Sequence, residues 1–282
     1  LSPQDLASLA CCCKITNAGV KEYYARVMGI QRILRPVFDS PESFRIMQSE
    51  TGTLVSGSAA LQLFERTTYQ NSDLDMYVEY RHAQRVVVFL QKNDYVFKSR
   101  GRQDASSVTT VSDSAMDTVF GRCLGRRIAD VLDFVRGEKK VQLVVAKKAS
   151  LDIILFYHST CVMNVISHRR AYSLFPRATF INWHSLATRQ KHLERGWKMV
   201  DIRSTSVFDT FLYTPDFTLS KRWIGDPATW MINLSPALPD LGEDAISTNS
   251  FSPNIVVWCY SFVRLHSKQA PTIYLHPRPK GV

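Results

Sequence analysis

The chain has 282 residues, of which 45% are apolar and 21% charged, which is typical of a soluble globular protein that can bury its own core. Apolar runs such as "NIVVWCYSFV" are too short to cross a bilayer, so we expect no membrane partner. Six cysteines without a CxxC spacing exclude a disulfide scaffold and indicate reduced thiols in an intracellular protein, either cytoplasmic or nuclear.

The net charge of +10 is unevenly distributed along the chain. Between Arg81 and Lys148 there are 14 Lys and Arg residues against 7 Asp and Glu residues. Such a surface attracts polyanions, which include nucleic acid, nucleotide phosphates and acidic proteins. A solvated basic face with no partner is an equally weighted interpretation.

The first 36 residues predict two helices. Ser2 or Asp5 is expected to cap the first, Asn17–Gly19 to interrupt the pattern, and a second amphipathic run to end before Pro36. The stretch "LSPQDLASLACCCK" resembles the latter part of an F-box, a family that binds the adaptor of a cullin ubiquitin ligase. That resemblance implies an adaptor as partner through residues 1–35; two helices that cover a neighbouring core are the alternative.

Residues 41–100 predict alternating helices and strands. Helices are expected at Glu42–Glu50, at "SAALQLFER" with Ala60, Leu61 and Phe64 inward, and at "HAQRVVVFLQKNDY". Strands are expected at "TLVSG", "LDMYVEY" and "YVFKSR".

After residue 100 the pattern weakens. "GRQDASSVTTVSDSAMD" indicates a loop or a solvated hairpin, and "IADVLDFVRGEKKVQLVVA" predicts two strands joined at Arg136–Lys139. Helices are predicted at "SLDIILFYH", "HRRAYSLFP" and "HSLATRQKHLERGWKM", with a strand at "CVMNVI". The class is therefore α+β, with a helical extension at 1–50, a central domain at 51–182 and a helical and irregular region at 183–282.

Asp73 and Asp75 lie two positions apart in a predicted strand, where their side chains share one face. Two neighbouring carboxylates repel unless a cation neutralises them, and oxygen ligands suit Mg²⁺. Upstream, "SGSAAL" combines a strand end, a glycine turn and a helix start, where backbone N–H groups and the Ser58 hydroxyl can hold a phosphate. The alternative is a pair of solvent-facing aspartates on an edge strand.

The Gly-Ser pair followed by "SDLDMYV" resembles the signature of the DNA polymerase beta-like nucleotidyltransferase superfamily. Gly57, Ser58, Asp73 and Asp75 match the signature, and the resemblance extends over about Thr53 to Val145. It implies a nucleotidyltransferase-like mixed sheet with flanking helices. It also implies Mg²⁺ held by Asp73 and Asp75, triphosphate held by Gly57 and Ser58, and transfer of an NMP group from an NTP to a hydroxyl.

The family adds a third carboxylate from a later strand, which completes the second ion's site and can act as the base. In the best candidate strand, "KKVQLVV", the corresponding position is Gln142, a neutral residue. Asp133 on the preceding strand, or Asp152 at the next helix start, is a possible substitute.

Three hypotheses follow: a nucleotidyltransferase, a catalytically impaired protein of the same fold that binds a nucleotide or a partner, and a basic nucleic-acid-binding protein. Two structural expectations accompany the nucleotidyltransferase-like fold. Strands near Thr53–Ser56, Leu74–Tyr80 and Lys139–Val145 should be neighbours in one mixed sheet with helices on one face, and Asp73 and Asp75 should lie at the mouth of a cleft beside "SGSAAL".

Overall fold

The computed structural model describes residues 3–69, 72–99, 127–157, 159–186, 198–200, 221–234, 241–242 and 244–251. The predicted loop "GRQDASSVTTVSDSAMD" lies outside these residues, as does the middle of the predicted basic helix with Gly196. No helix in the described ranges has both the length and the apolar character needed to cross a membrane.

Seven α-helices, labelled α1 to α7, occur in the described part of the chain. Their bounds are Pro3–Cys12, Lys14–Val27, Gln31–Leu34, Pro41–Thr51, Gly57–Glu65, Ala83–Lys92 and Ser150–Ile154. Twelve strands, β1 to β12, are Leu54–Ser56, Leu74–Glu79, Val96–Lys98, Ile128–Arg136, Lys139–Ala146, Asn164–Ile166, Arg170–Ser173, His184–Leu186, Lys198–Val200, Arg222–Trp223, Trp230–Asn233 and Ser250–Phe251.

Eight strands form one mixed sheet in the order β11-β7-β6-β1-β2-β5-β4-β3. β2 and β5 pair in parallel, and the other neighbours in this sheet are antiparallel. The α+β class is therefore confirmed, and the three strands expected to be neighbours are β1, β2 and β5, which are adjacent.

Both faces of the sheet are apolar, and helices cover both. Val55, Met76 and Leu143 belong to a core on one face, which also includes residues of α4, α5 and α6 such as Phe44, Leu61 and Leu90. The alternate strand residues Leu54, Tyr77 and Val144 face a second core with Leu151 and Ile154 of α7. The expectation of helices on one face was wrong, because a central sheet with two apolar faces needs cover on each.

Helix α5 follows its predicted pattern. Ala60, Leu61 and Phe64, the residues expected to point inward, are each 0% exposed. Helix α4 has a Ser40 side chain that accepts from the Ser43 N–H, and it ends at Gly52 in the left-handed conformation.

The predicted interruption at Asn17–Gly19 was wrong. Helix α2 runs through all three residues, and the break lies at Cys13, which forms a capping box with Thr16. The Asn17 side chain donates to the Ala10 carbonyl oxygen at 3.0 Å. Its amide thus provides a hydrogen-bond donor for a backbone carbonyl in the last turn of α1.

Two predicted helices contain strands. Within "HRRAYSLFP", Arg170–Ser173 forms β7, which pairs with β6 on one side and β11 on the other. The predicted basic helix "HSLATRQKHLERGWKM" is described only at its two ends. These ends form the strands β8 and β9, which pair in parallel. In these segments, long-range pairing outweighs local helix propensity.

The predicted domain boundaries at residues 50 and 182 stay predictions. Contacts cross both: Met28, Leu34 and Phe38 share the core of α5 and α6, and β11 extends the central sheet beyond residue 182. The N-terminal helices and the described C-terminal strand therefore pack together with the sheet.

A buried ion pair connects the described C-terminal segments to the sheet. Arg222 and Asp226 are 3% and 7% exposed, and two guanidinium nitrogens donate to the two carboxylate oxygens at 2.7 and 2.8 Å. Arg222 also donates to the Leu174 carbonyl oxygen at 2.7 Å. Burial raises the pKa of Asp226, but the hydrogen bonds and charge of Arg222 outweigh it, so this pKa lies below its usual value.

Asp226→Asn is expected to lower the free energy of unfolding by at least about 3 kcal/mol at pH 7, because it leaves a buried guanidinium without its counter-charge. A depressed carboxyl pKa stabilises the fold above about pH 4, and that contribution is lost as the pH falls through the folded-state pKa. Urea unfolding between pH 7 and 3 should therefore show a weaker acid dependence in the variant. Asp94→Asn, at an exposed carboxylate, is the control; equal stability of the two variants would contradict this prediction.

Candidate functional site

A row of polar side chains crosses five adjacent strands on the face that carries the second core. In strand order the row is Ser56, Asp75, Gln142, Asp133 and Lys98, each in register with the next. Residues in register across neighbouring strands share a face, and two positions further along that face becomes apolar at Leu54, Tyr77, Val144 and Val131. The predicted site residues therefore lie where this face changes from apolar to polar.

Gly57 lies directly against the carboxylate of Asp75. Gly57 has φ of 67°, and a Cβ atom added to it would lie 2.3 Å from Asp75 Oδ2. Only a residue without a side chain fits there, because real Cβ atoms do not approach an oxygen so closely. Gly57 begins helix α5, so the Asp75 carboxylate reaches the positive end of that helix.

Ser58 is held on the same side of the helix start. Its hydroxyl oxygen lies 3.0 Å from that of Ser72, and Gln62 Nε2 donates to both the Ser72 hydroxyl and the Ser58 carbonyl oxygen. Ser56 precedes the helix, but its side chain makes no capping bond and donates instead to the Asn164 carbonyl oxygen at 2.6 Å. The start of α5 thus brings Ser58 next to the segment that leads into Asp73.

Asp73 immediately precedes β2 and contacts a lysine. Lys140 Nζ lies 3.2 Å from Asp73 Oδ2 and 3.5 Å from Asp133 Oδ2. The side chain of Asp133 is 10% exposed, whereas those of Lys140 and Asp73 are 34% and 40% exposed. One ammonium group therefore lies between a carboxylate just before β2 and a carboxylate on β4, two strands that are separated by β5.

The three positions proposed for a third acid differ in where they lie. Gln142 is directly beside Asp75 in the parallel pair of β2 and β5, which is the place expected for the family's acid. Asp133 is beside Gln142 on β4, and Gln142 Nε2 lies 3.4 Å from Asp133 Oδ1. Asp152 is exposed in the first turn of α7, which packs over the apolar part of the sheet face. The structure thus brings Asp133, but not Asp152, towards Asp73 and Asp75.

Lys140 was missed as a site residue at the sequence level. It alternates with Gln142 along β5, so both side chains lie on the face that carries Asp75. A signal was present in "KKVQLVV", since the lysine two positions before Gln142 lies on the same strand face as the position expected for the third acid.

Comparison with known proteins provides no relative: the chain matches no family model, no curated protein and no solved structure. The nucleotidyltransferase assignment and the F-box-like adaptor contact of residues 1–35 therefore stay predictions. The function is inferred from the geometry of the residues described above.

Proposed function

We propose that the protein binds a nucleoside triphosphate with Mg²⁺ and transfers its NMP group to a hydroxyl group of an acceptor. The observation that carries this proposal is the contact between Gly57 and the Asp75 carboxylate. It puts an oxygen ligand for a cation beside a helix start that favours phosphate. Gly57 has no Cβ, so the Asp75 carboxylate can lie next to the backbone at the helix start.

Mg²⁺ fits the residues that are present. No group of three or more His, Cys, Asp or Glu side chains arranged to hold a metal occurs within the described ranges. Mg²⁺ commonly takes only one or two carboxylates from the protein and completes its shell with water and substrate phosphates. Asp73 and Asp75 would supply those carboxylates, and an ion held there would provide positive charge to stabilise the phosphates during transfer.

The remaining groups bind and orient the reactants. The Gly57 and Ser58 region receives the β- and γ-phosphates at the start of α5, where the helix dipole favours negative charge. The acceptor oxygen forms a bond to the α-phosphorus, the bond from that phosphorus to the bridging oxygen breaks, and pyrophosphate leaves. Asp133 takes the proton of the acceptor hydroxyl, and its contact with Gln142 holds the carboxylate on the site face.

The double variant Asp73→Asn with Asp75→Asn tests the proposal. It is expected to abolish Mg²⁺-dependent binding of a fluorescent, non-hydrolysable ATP analogue, because the amides cannot supply the negative charge that the ion needs. Glu79→Gln removes a carboxylate from the other end of β2 and is expected to bind as the parent does. If the double variant binds the Mg²⁺ complex as tightly as the parent, the metal assignment is wrong.

A second candidate function is favoured by Gln142. Gln142 pairs with Asp75 at the position where the nucleotidyltransferase superfamily has its third carboxylate. A neutral side chain at this position suits a protein that binds a nucleotide or a partner without turnover. Incubation with radiolabelled NTPs and Mg²⁺ separates the two, since only the first yields labelled acceptor and pyrophosphate. Nucleic acid and protein acceptors, and a nucleic-acid-binding role for the basic segment, stay predictions to be tested by salt-dependent binding.

A further inference from the structure

We infer that the ammonium group of Lys140 takes the place of the second metal ion, so that the protein holds its nucleotide with a single divalent cation. This inference rests on the proposed function and concerns the same site. It starts from one contact: Lys140 Nζ lies between Asp73 Oδ2 at 3.2 Å and Asp133 Oδ2 at 3.5 Å.

The position of Lys140 follows from the register of the sheet. Leu74 pairs with Val141, so Asp73 and Lys140, one residue earlier on each parallel strand, come side by side. On the other side, Lys140 pairs with Val135 and Gln142 with Asp133, which brings Asp133 diagonally next to Lys140 on the same face. The side chain of Lys140 therefore holds its ammonium group between the carboxylates of Asp73 and Asp133.

An ordinary surface ion pair would have little consequence, since exposed pairs are worth about 0–1 kcal/mol. Asp133 is different because its side chain is only 10% exposed, and a carboxylate that has lost most of its water needs a counter-charge. Lys140 supplies that charge within the protein. Its removal would leave Asp73 and Asp133 as neighbouring anions, which is the condition that favours capture of a divalent cation.

Competition for the same carboxylates leads to the same conclusion. The ammonium of Lys140 already lies 3.2 Å from Asp73 Oδ2 and 3.5 Å from Asp133 Oδ2. A second Mg²⁺ shared by Asp73 and Asp133 would need oxygen ligands at about 2.0–2.1 Å and would have to displace the ammonium. The tethered lysine thus competes with the second ion and leaves the Asp75 side, next to Gly57, for the first.

Counting bound Mn²⁺ by electron paramagnetic resonance tests this inference. Mn²⁺ is titrated into protein that is in excess over a non-hydrolysable ATP analogue, so that all of the analogue is bound. We expect one Mn²⁺ per bound nucleotide in the parent and two in Lys140→Met, whereas Lys140→Arg, which keeps the charge, stays at one. Lys139→Met is the matched control, because Lys139 is the adjacent exposed residue on the opposite strand face, and it is also expected to bind one ion.

Two Mn²⁺ in the parent, or one in a folded Lys140→Met variant, would overturn the role of Lys140 while leaving the proposed function intact. The parent count decides the matter even where Lys140→Met does not fold. A parent that binds neither Mn²⁺ nor the analogue would overturn the proposed function itself and this inference with it.

Discussion

Replacing Gly57 by Ala will abolish binding of the Mg²⁺–nucleotide complex. The substitution acts in two ways, since Gly57 has φ of 67° and its new Cβ would lie 2.3 Å from Asp75 Oδ2. The left-handed backbone costs a side chain about 1–2 kcal/mol. The contact with Asp75 cannot be relieved without turning the carboxylate away from the helix start or shifting α5, and either movement separates the proposed metal ligand from the proposed phosphate site. Titration with a fluorescent ATP analogue in Mg²⁺ measures the loss.

Gly52→Ala separates the two effects. Gly52 has φ of 64°, almost the same as Gly57, but a Cβ there would meet no atom within 4 Å. We therefore expect Gly52→Ala to lose about 1–2 kcal/mol of stability from backbone strain and to bind the nucleotide as the parent does. If the Gly57 variant also binds normally, the contact between Gly57 and Asp75 has no part in a nucleotide site.

The elements that the sequence predicted well are those whose local pattern agrees with their packing. Helix α5 has an apolar face, and its residues Ala60 and Phe64 are buried in the core. Strand β2 and the hairpin of β4 and β5 have β-branched or alternating apolar residues that suit a sheet with cover on both faces. In these segments, local preference and tertiary contacts favour the same structure.

The failed predictions are those in which distant contacts decide. Asn17 and Gly19 are poor helix residues, yet α2 includes both, because the break is set by the capping box at Cys13 and the Asn17 amide bonds to α1. Arg170–Ser173 has no strong strand pattern of its own, and only its position between β6 and β11 makes it a strand. Sequence periodicity does not predict such long-range strand pairing.

The candidate site was predictable in part. Gly57, Ser58, Asp73 and Asp75 were found from spacing, whereas the face of Asp133 was unknown until strand register fixed it. The information was nevertheless present in the hairpin at Arg136–Lys139. Arg136 pairs with Lys139 across a two-residue turn whose first residue, Gly137, has φ of 58°, and counting three pairs back brings Asp133 opposite Gln142. The register of β2 against β5 was the missing step, since nothing local specifies it.

Replacing Gln142 by Asp would not restore a third acid without cost. Asp133 already lies beside Gln142, and Asp75 lies on the other side. A third carboxylate between them would be flanked by like charges across both neighbouring strands, which destabilises a sheet. Asp133, and not Gln142, is therefore the residue to test as the third carboxylate.

Asp133→Asn will reduce nucleotidyl transfer by about 10²–10⁴-fold, the usual contribution of a positioned general base, while the Mg²⁺–nucleotide complex still binds. The amide is similar in size to the carboxylate and can still bond to Gln142, but it cannot take the proton of the acceptor hydroxyl. Single-turnover transfer from a radiolabelled NTP measures the rate, and the fluorescent analogue measures binding. Asp152→Asn is the control, because Asp152 is exposed on α7 and the variant should transfer as the parent does. Unchanged transfer by Asp133→Asn would exclude Asp133 as the general base. A parent that binds the nucleotide but transfers nothing would instead favour the impaired protein, in which Asp133 serves only as a counter-charge to Lys140.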